Sequence, residues 1–254
     1  MKVTEKINTE FKELLYNEKN VIAAWEGGSA ATGFYDEYSD LDLAIVCEDD
    51  AVEDIFKLIE SHIEKNYGII NKFRIPEPAW HGFSQCFYKI DNVPKLYYLD
   101  IAVIKRSVED KFTAKDRHGN AVVWFEKEKM IDPTPTTEEE VKAKGKKFYK
   151  MVTGADWLSI TELKKQLSRG YYAESISQYN QLVMRNLGVM LNLKYRPCKV
   201  DFGTRYYYRD LPKEVFAKFE RLLKNGSINE LKENSVKLLE WYGSLKKELA
   251  KEWS

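Results

Sequence analysis

The hydrophobic period of the chain changes near residue 132, and this change limits the fold more than any other feature of the sequence. Before it, short apolar runs of strand character alternate with helical patterns. After it, apolar residues recur every three or four positions. The segment between, residues 132–140, combines prolines and threonines with three glutamates, which break the chain and then start a helix. We therefore predict an α+β chain with a mixed sheet and flanking helices in residues 1–135 and a helical bundle in residues 136–254.

The first part contains enough strand and helix signals for one compact α/β domain. Helical periodicity predicts a first helix over Val3–Leu15 and a second over Val52–Ile63, which Asp49 or Asp50 would cap. Apolar and aromatic runs predict strands at residues 21–26, 41–47, 82–90, 95–104 and 121–125.

Composition argues against several classes of protein, although a local basic groove stays open. Lysine plus arginine and aspartate plus glutamate balance at 40 each among 254 residues, which argues against a general nucleic-acid binder. The three cysteines, Cys47, Cys86 and Cys198, are far apart and form no CxxC pair, so we expect free thiols in a reducing compartment. No apolar run approaches the ~20 residues that span a bilayer. We expect a cytoplasmic protein without a membrane partner.

The segment from Gly27 to Leu43 carries the chemistry. A strand that ends in Gly-Gly-Ser turns tightly and lets the backbone approach a ligand. If a helical turn begins at Ser29, its free backbone N–H groups favour an anion, and the Ser29 hydroxyl adds one more donor.

Three aspartates are expected to meet beside this turn. Asp40 and Asp42 are two residues apart at the start of a strand, so their side chains share one face. Asp100 lies inside a later apolar strand that would pair with the strand of Asp40 and Asp42. Carboxylates about 5 Å apart repel by roughly 3 kcal/mol per pair at an effective dielectric of 20. Either one of them is protonated or a hard cation, magnesium or manganese, lies among them.

These residues resemble the DNA polymerase β-like nucleotidyltransferase superfamily, and within it the aminoglycoside and lincosamide nucleotidyltransferases. Their pattern is Gly-Ser, a later glycine, then Ser-Asp-x-Asp followed by apolar residues. The matching positions here are Gly28, Ser29, Gly33, Ser39, Asp40 and Asp42, with Asp100 as the third carboxylate.

The resemblance implies a reaction and a set of ligands. It implies that Asp40, Asp42 and Asp100 hold two Mg²⁺ ions and that ATP or another nucleoside triphosphate binds at Gly28, Ser29 and Ser39. The active site is expected in the cleft between the two parts of the chain. One departure is that Ala30, Ala31 and Thr32 stand where many members carry a basic residue.

The cations for a triphosphate must then come from elsewhere. Lys194, Arg196 and Lys199 follow a long apolar helix, and Lys199 is favoured because similar proteins often have a basic residue there. Arg169 and Tyr172 are further candidates for the cleft.

The general base has several candidates. Asp100 could serve while also binding metal, and the alternatives are Asp156 or one of Glu138–Glu140, whose position at a helix start also suits capping. His62, His81 and His118 have no ligand spacing and are expected to be structural.

By resemblance the acceptor is a small molecule, such as an aminoglycoside or a lincosamide, that receives a nucleoside monophosphate on a hydroxyl group. One alternative is a protein or RNA acceptor, although the neutral charge speaks against RNA. Another is a non-catalytic, antitoxin-like scaffold. A homodimer is common among similar proteins, and no feature of the sequence requires one.

Overall fold

The computed structural model describes residues 3–254. The chain divides into two compact units, residues 1–135 and residues 136–254. No helix within residues 3–254 is both long and apolar enough to cross a membrane.

The N-terminal unit is built from one six-stranded sheet and four helices among its described residues. Two of the helices, α2 and α4, are single short turns. In chain order the elements are α1 (Val3–Asn17), β1 (Val21–Glu26), α2 (Gly28–Thr32), β2 (Leu41–Cys47), α3 (Val52–Asn66), β3 (Ile69–Arg74), β4 (Ser84–Ile90), β5 (Leu99–Lys105), α4 (Lys115–His118) and β6 (Val122–Glu126).

The strand order is β3-β4-β5-β2-β1-β6. The central pair β2–β5 is parallel, and the other four neighbouring pairs are antiparallel. One face of the sheet packs against α1 and α3, where Phe11, Ile45, Ile59 and Ile101 are buried in the same apolar core. This core fixes the register of β2 and β5, because a shift of one residue would turn their apolar side chains away from it.

The opposite face is only half covered near the start of β2 and β5. Buried and half-buried residues alternate along β2, β4 and β5, as expected for strands with one buried face. We call the half-buried side the open face, and its members are Asp42 and Ala44 of β2, Gln85, Phe87 and Lys89 of β4, and Asp100 and Ala102 of β5. Further along, the same side is closed by a smaller apolar cluster that includes Trp25, Val46, Phe83 and Ile104.

The structure confirms the predicted first helix and the strands at residues 21–26 and 41–47, and it corrects three details. Strand β3 (Ile69–Arg74) was not predicted, because this edge strand is largely exposed and half of its residues are polar or charged. Strand β5 begins at Leu99 rather than residue 95, since residues 95 and 96 form a turn. Helix α3 has Ala51 as its N-cap without a side-chain bond, and Asp49 instead accepts a hydrogen bond from the Ser107 backbone N–H at 3.0 Å.

The second unit is helical throughout, as the 3.6-residue period predicts. A π-helical turn at Leu182–Leu187 joins two of its helices into one continuous rod, and a 3-10 turn lies at Pro197–Lys199. The α-helices are α5 (Glu138–Thr153), α6 (Asp156–Arg169), α7 (Tyr172–Gln181), α8 (Gly188–Tyr195), α9 (Tyr207–Asp210), α10 (Lys213–Leu222) and α11 (Ile228–Trp253).

The core of the helical unit forms around α8 and α11. Leu191 and Leu193 of α8 pack in one cluster with Leu238 and Tyr242 of α11. Helix α5 approaches α11 closely at Gly145, where an added Cβ would overlap the Trp253 ring. The mixed sheet with flanking helices, followed by a helical unit, is the predicted α+β fold.

Candidate active site

The turn between β1 and α2 holds its backbone against β2. The Gly27 N–H donates to the Asp42 carbonyl oxygen at 2.8 Å, and the Ser29 backbone N–H donates to the Asp42 carboxylate. Gly28 has a φ of 48°, and a Cβ there would overlap the same carboxylate. Glycine is therefore required at position 28 by both conformation and space. Gly33, with φ 74°, ends the short helix.

The Ser29 hydroxyl has no protein partner at this turn. Its Oγ is buried and makes no hydrogen bond within residues 3–254. A buried hydroxyl normally finds a partner, because leaving one unpaired costs about 1–3 kcal/mol. A phosphate oxygen at the turn would supply the missing partner, so the orphaned hydroxyl fits the predicted anion site.

Asp42 and Asp100 are direct neighbours across the central parallel pair. They are Cα partners in the β2–β5 register and point to the open face. Asp40 lies just before β2 and close enough that its charge raises the pKa values of both. The structure thus brings together the three carboxylates that the sequence predicts.

Two of these carboxylates are held by neighbouring donors. Gln85 Nε2 on β4 donates to Asp100 Oδ1 at 2.6 Å. The Tyr98 hydroxyl donates to Asp40. Each bond fixes one carboxylate on the open face and leaves part of its acceptor capacity for another ligand.

The cluster is electrostatically costly without a cation. Burial, reinforced by the charges of Asp40 and Asp100, raises the pKa of Asp42 from 3.8 to about 7. Burial also raises the pKa of Asp100 from 3.8 to about 6, with a further contribution from Asp40 and an opposing one from the Gln85 hydrogen bond. The charge of Glu26, at the end of β1, adds to the effect on Asp42.

The donor set suits a hard divalent cation. Carboxylate oxygens are the ligands that Mg²⁺ and Mn²⁺ prefer. In the side-chain conformations of the structure, no three acidic, histidine or cysteine side chains within residues 3–254 converge as a complete ligand set. Tyr98 and Gln85 hold Asp40 and Asp100, so small side-chain rotations would be needed to gather the three around an ion. Metal binding by Asp40, Asp42 and Asp100 stays a prediction.

Ser39, expected to contact the nucleotide, takes part in a tight turn. Its Oγ accepts from the Asp36 N–H at 2.9 Å and donates to the Asp36 carboxylate at 3.1 Å. This turn fixes the chain immediately before Asp40. Its role toward a nucleotide stays a prediction.

The candidate phosphate cations belong to the helical unit. Lys194, in the last turn of α8, and Arg196 and Lys199, just after it, all have acidic partners there. Arg196 is 5% exposed and bonds Asn192, the carbonyls of Gly203 and Arg205, and Asp210. Lys199 lies 3.2 Å from Asp210, and Lys194 pairs with Glu248. Arg196 therefore has a structural explanation. The nucleotide role of Lys199 stays a prediction.

Two of the alternative base candidates, Asp156 and Glu140, make structural contacts in the helical unit. Asp156 is buried in the helical unit, where it accepts from the Tyr242 hydroxyl at 2.9 Å and pairs with Lys246 at 2.5 Å. Glu140 forms a capping box with Thr137 at the start of α5. Asp100 accepts one side-chain hydrogen bond, from Gln85, and its role as the base stays a prediction.

The remaining candidate residues show structural contacts as well. His62 lies on α3, where its ring packs edge-on against Phe11 and its Nε2 lies 3.4 Å from Glu10. His81 Nδ1 accepts from the Phe83 N–H at 3.0 Å. The Tyr172 hydroxyl donates to the Asn225 carbonyl at 2.7 Å.

Sequence reasoning missed Gln85, Tyr98 and Glu26 as members of the site. Glu26 Oε1 accepts from Asn8 Nδ2 at 3.0 Å and from Trp124 Nε1 at 2.7 Å, so it is fixed in place. Tyr98 stands two residues before Asp100, and this spacing is the one signal that could have found it. Gln85 reaches Asp100 only through the β4–β5 register.

Comparison with known proteins agrees with this geometry. Residues 4–95 match the nucleotidyltransferase domain family. No curated protein matches the chain.

Three solved structures show remote resemblance to the chain. An aminoglycoside 6-adenyltransferase from Bacillus subtilis is 13% identical, with 98% of this chain and 89% of that chain covered and a TM-score of 0.38. A nucleotidyltransferase-like protein from Exiguobacterium sibiricum is 11% identical, with 95% and 73% covered and a TM-score of 0.36. A putative nucleotidyltransferase from H. pylori is 11% identical, with 99% and 98% covered and a TM-score of 0.30.

The family match spans the β1–α2 turn and the Asp40–Asp42 segment on which the site is built. Residues 4–95 of the chain therefore form a nucleotidyltransferase domain.

Proposed function

We propose that the chain transfers a nucleoside monophosphate, with ATP as the expected donor, to a hydroxyl group of a small molecule. The observation that carries this proposal is the Asp42–Asp100 pair on the open face, next to a glycine turn with an unpaired buried hydroxyl. Acids at this turn have no packing role that would repay their burial. A bound cation and bound phosphates would offset the cost of burying these carboxylates.

The glycine turn would bind the phosphates of the donor. The backbone of Gly27 and Gly28 allows close approach, and the Ser29 hydroxyl is a donor without a protein partner. Lys199 is the proposed cation for the phosphates, and in that role it would exchange Asp210 for the ligand.

Asp40, Asp42 and Asp100 would hold Mg²⁺, in two ions by analogy with the family. Bound there, the metal would neutralise the carboxylates and phosphate oxygens and favour ionisation of the acceptor hydroxyl. Gln85 occupies Oδ1 of Asp100, which leaves Oδ2 to accept the proton of that hydroxyl.

The acceptor class proposed from the resemblance is an aminoglycoside or a lincosamide, which would make the enzyme an antibiotic-resistance factor. We also propose a cytoplasmic location, because Cys47 and Cys86 are buried thiols outside any disulfide bond.

The test is pyrophosphate release from each of the four nucleoside triphosphates with Mg²⁺, against a panel of aminoglycosides and lincosamides. The Asp40→Asn/Asp42→Asn variant is the blank. Release that depends on one acceptor and is lost in the blank supports the reaction and gives its acceptor. Equal release by the enzyme and the blank would refute it.

A further inference from the structure

A single row of cross-strand partners runs across four strands of the open face. Phe73 of β3 is paired with Phe87 of β4, Phe87 with Asp100 of β5, and Asp100 with Asp42 of β2. Neighbouring strands are about 4.8 Å apart, so Phe87 lies one strand, and Phe73 two strands, from the third carboxylate.

Two aromatic residues of this row, Phe73 and the half-buried Phe87, are neighbours of a third aromatic residue, Tyr98. Phe73 is 61% exposed and Tyr98 is 37% exposed. The rings of Phe73 and Phe87 are stacked, with centroids 6.5 Å apart and planes at 17°, and the Phe87 and Tyr98 rings lie 6.1 Å apart. We call Phe73, Phe87 and Tyr98 the aromatic row. Contiguous aromatic exposure of this kind marks a binding surface more often than isolated exposed residues do.

The side chains next to the aromatic row carry no negative charge on β4. Its open-face neighbours there are Gln85, which is bonded to Asp100, and Lys89, whose Nζ donates to the carbonyls of Lys95 and Tyr97. The surface therefore offers ring faces directly beside the carboxylates of Asp40 and Asp100, and these ring faces suit stacking against another flat ring.

The strand order places the glycine turn and the aromatic row on opposite sides of the central β2–β5 pair. The glycine turn follows β1, on one side of β2, whereas the aromatic row lies on the other side of β5. In phosphoryl transfer the attacking and leaving oxygens are roughly in line on opposite sides of the phosphorus. With the leaving pyrophosphate at the glycine turn, the attacking hydroxyl approaches from the side of β4 and β3.

We propose that the aromatic row binds the acceptor and that the acceptor presents a flat ring, either aromatic or the CH face of a sugar. This inference rests on the proposed function and narrows its acceptor class. The ring stacks on Phe87 and Phe73 while a hydroxyl group attached to it reaches Asp100.

The test measures binding by saturation-transfer difference NMR, which needs neither metal nor turnover. The probe is p-nitrophenyl β-D-glucopyranoside, a neutral molecule with an aromatic ring, a sugar ring and free hydroxyls. We expect Phe87→Ala to weaken binding about tenfold and Phe87→Trp to preserve it, since one ring stack is worth roughly that factor.

The matched control is Tyr16→Ala. Tyr16 is also an exposed aromatic residue in contact with a phenylalanine, Phe125, but it lies at the β6 edge of the sheet. Its variant should bind the probe like the wild type. Equal binding of the probe by Phe87→Ala and the wild type would overturn the inference. So would the absence of any binding to the wild type at a probe concentration of about 10 mM, which detects even weak ligands.

Two outcomes distinguish a failure of the aromatic row from a failure of the proposed function. Phe87-dependent binding without nucleotidyl transfer to any acceptor would keep the aromatic row as a binding site and reject the reaction. Transfer that persists with an unchanged KM for the acceptor in Phe87→Ala would keep the reaction and reject the aromatic row.

Discussion

Replacing Asp42 by asparagine should stabilise the metal-free protein, because this carboxylate is held ionised at a cost. Its pKa is about 7 in the folded protein against 3.8 as a free group. A difference of about 3 pKa units corresponds to about 4 kcal/mol above pH 7. Solvent and salt at a half-buried site reduce this, so we expect a gain of about 2 kcal/mol, or roughly 4–8 °C in Tm.

The sign of the pH dependence follows from the raised pKa. Between pH 3.8 and 7 the folded protein binds more protons at Asp42 than the unfolded chain does, so its stability falls as pH rises. The asparagine variant has no such loss. The gain in the free energy of unfolding of Asp42→Asn over the wild type should be near zero below pH 4, about 40% of its full value at pH 5, and complete above pH 7.

The assay is thermal unfolding of both proteins in EDTA at pH 5 and pH 8, with the exposed Glu109→Gln variant as the control that should change little. Adding Mg²⁺ should raise the Tm of the wild type and reduce the difference in Tm between the two proteins, since the cation relieves the same repulsion. An asparagine variant that is no more stable than the wild type at pH 8, or a gap that does not grow with pH, would refute the reasoning.

Three further variants test individual contacts. Gly28→Ala should lower nucleotidyl transfer by more than about 100-fold because its Cβ displaces the Asp42 carboxylate, whereas Gly68→Ala, also at positive φ but in open space, should lower only the Tm; equal activities of the two variants would contradict this. Gln85→Leu should weaken Mn²⁺ binding roughly tenfold in an EPR titration by freeing the third carboxylate, and an unchanged affinity would exclude a positioning role. Gly145→Ala should destabilise the helical unit by about 1–3 kcal/mol in denaturant unfolding, and the added variant Trp253→Leu should restore it if ring overlap is the cause.

The parts of the fold that were predictable have strong local patterns. Strands β1 and β2 have continuous or alternating apolar residues, and their side chains face a core that leaves little freedom of register. Strand β3 escaped prediction because an edge strand with one exposed face is stabilised by pairing with β4 rather than by its own hydrophobic pattern.

The same distinction applies to the site. Gly28 and Asp42 were found because they belong to one short segment, in which a strand end, a turn and the next strand are close in sequence. Gln85 and Phe87 were not, since their place beside Asp100 depends on a strand register that no local pattern states. Basic residues after α8 looked available in the sequence, but acidic partners such as Asp210 hold them in the structure.

The central claim is that this site transfers the α-phosphoryl group together with its nucleoside. The most direct measurement compares ATP labelled at the α-phosphate with ATP labelled at the γ-phosphate, using an acceptor that supports pyrophosphate release. The α-label should appear on the acceptor and the γ-label in pyrophosphate, and both should stay in ATP with Asp42→Asn. Transfer of the γ-label to the acceptor, or α-label transfer that survives in Asp42→Asn, would contradict the account.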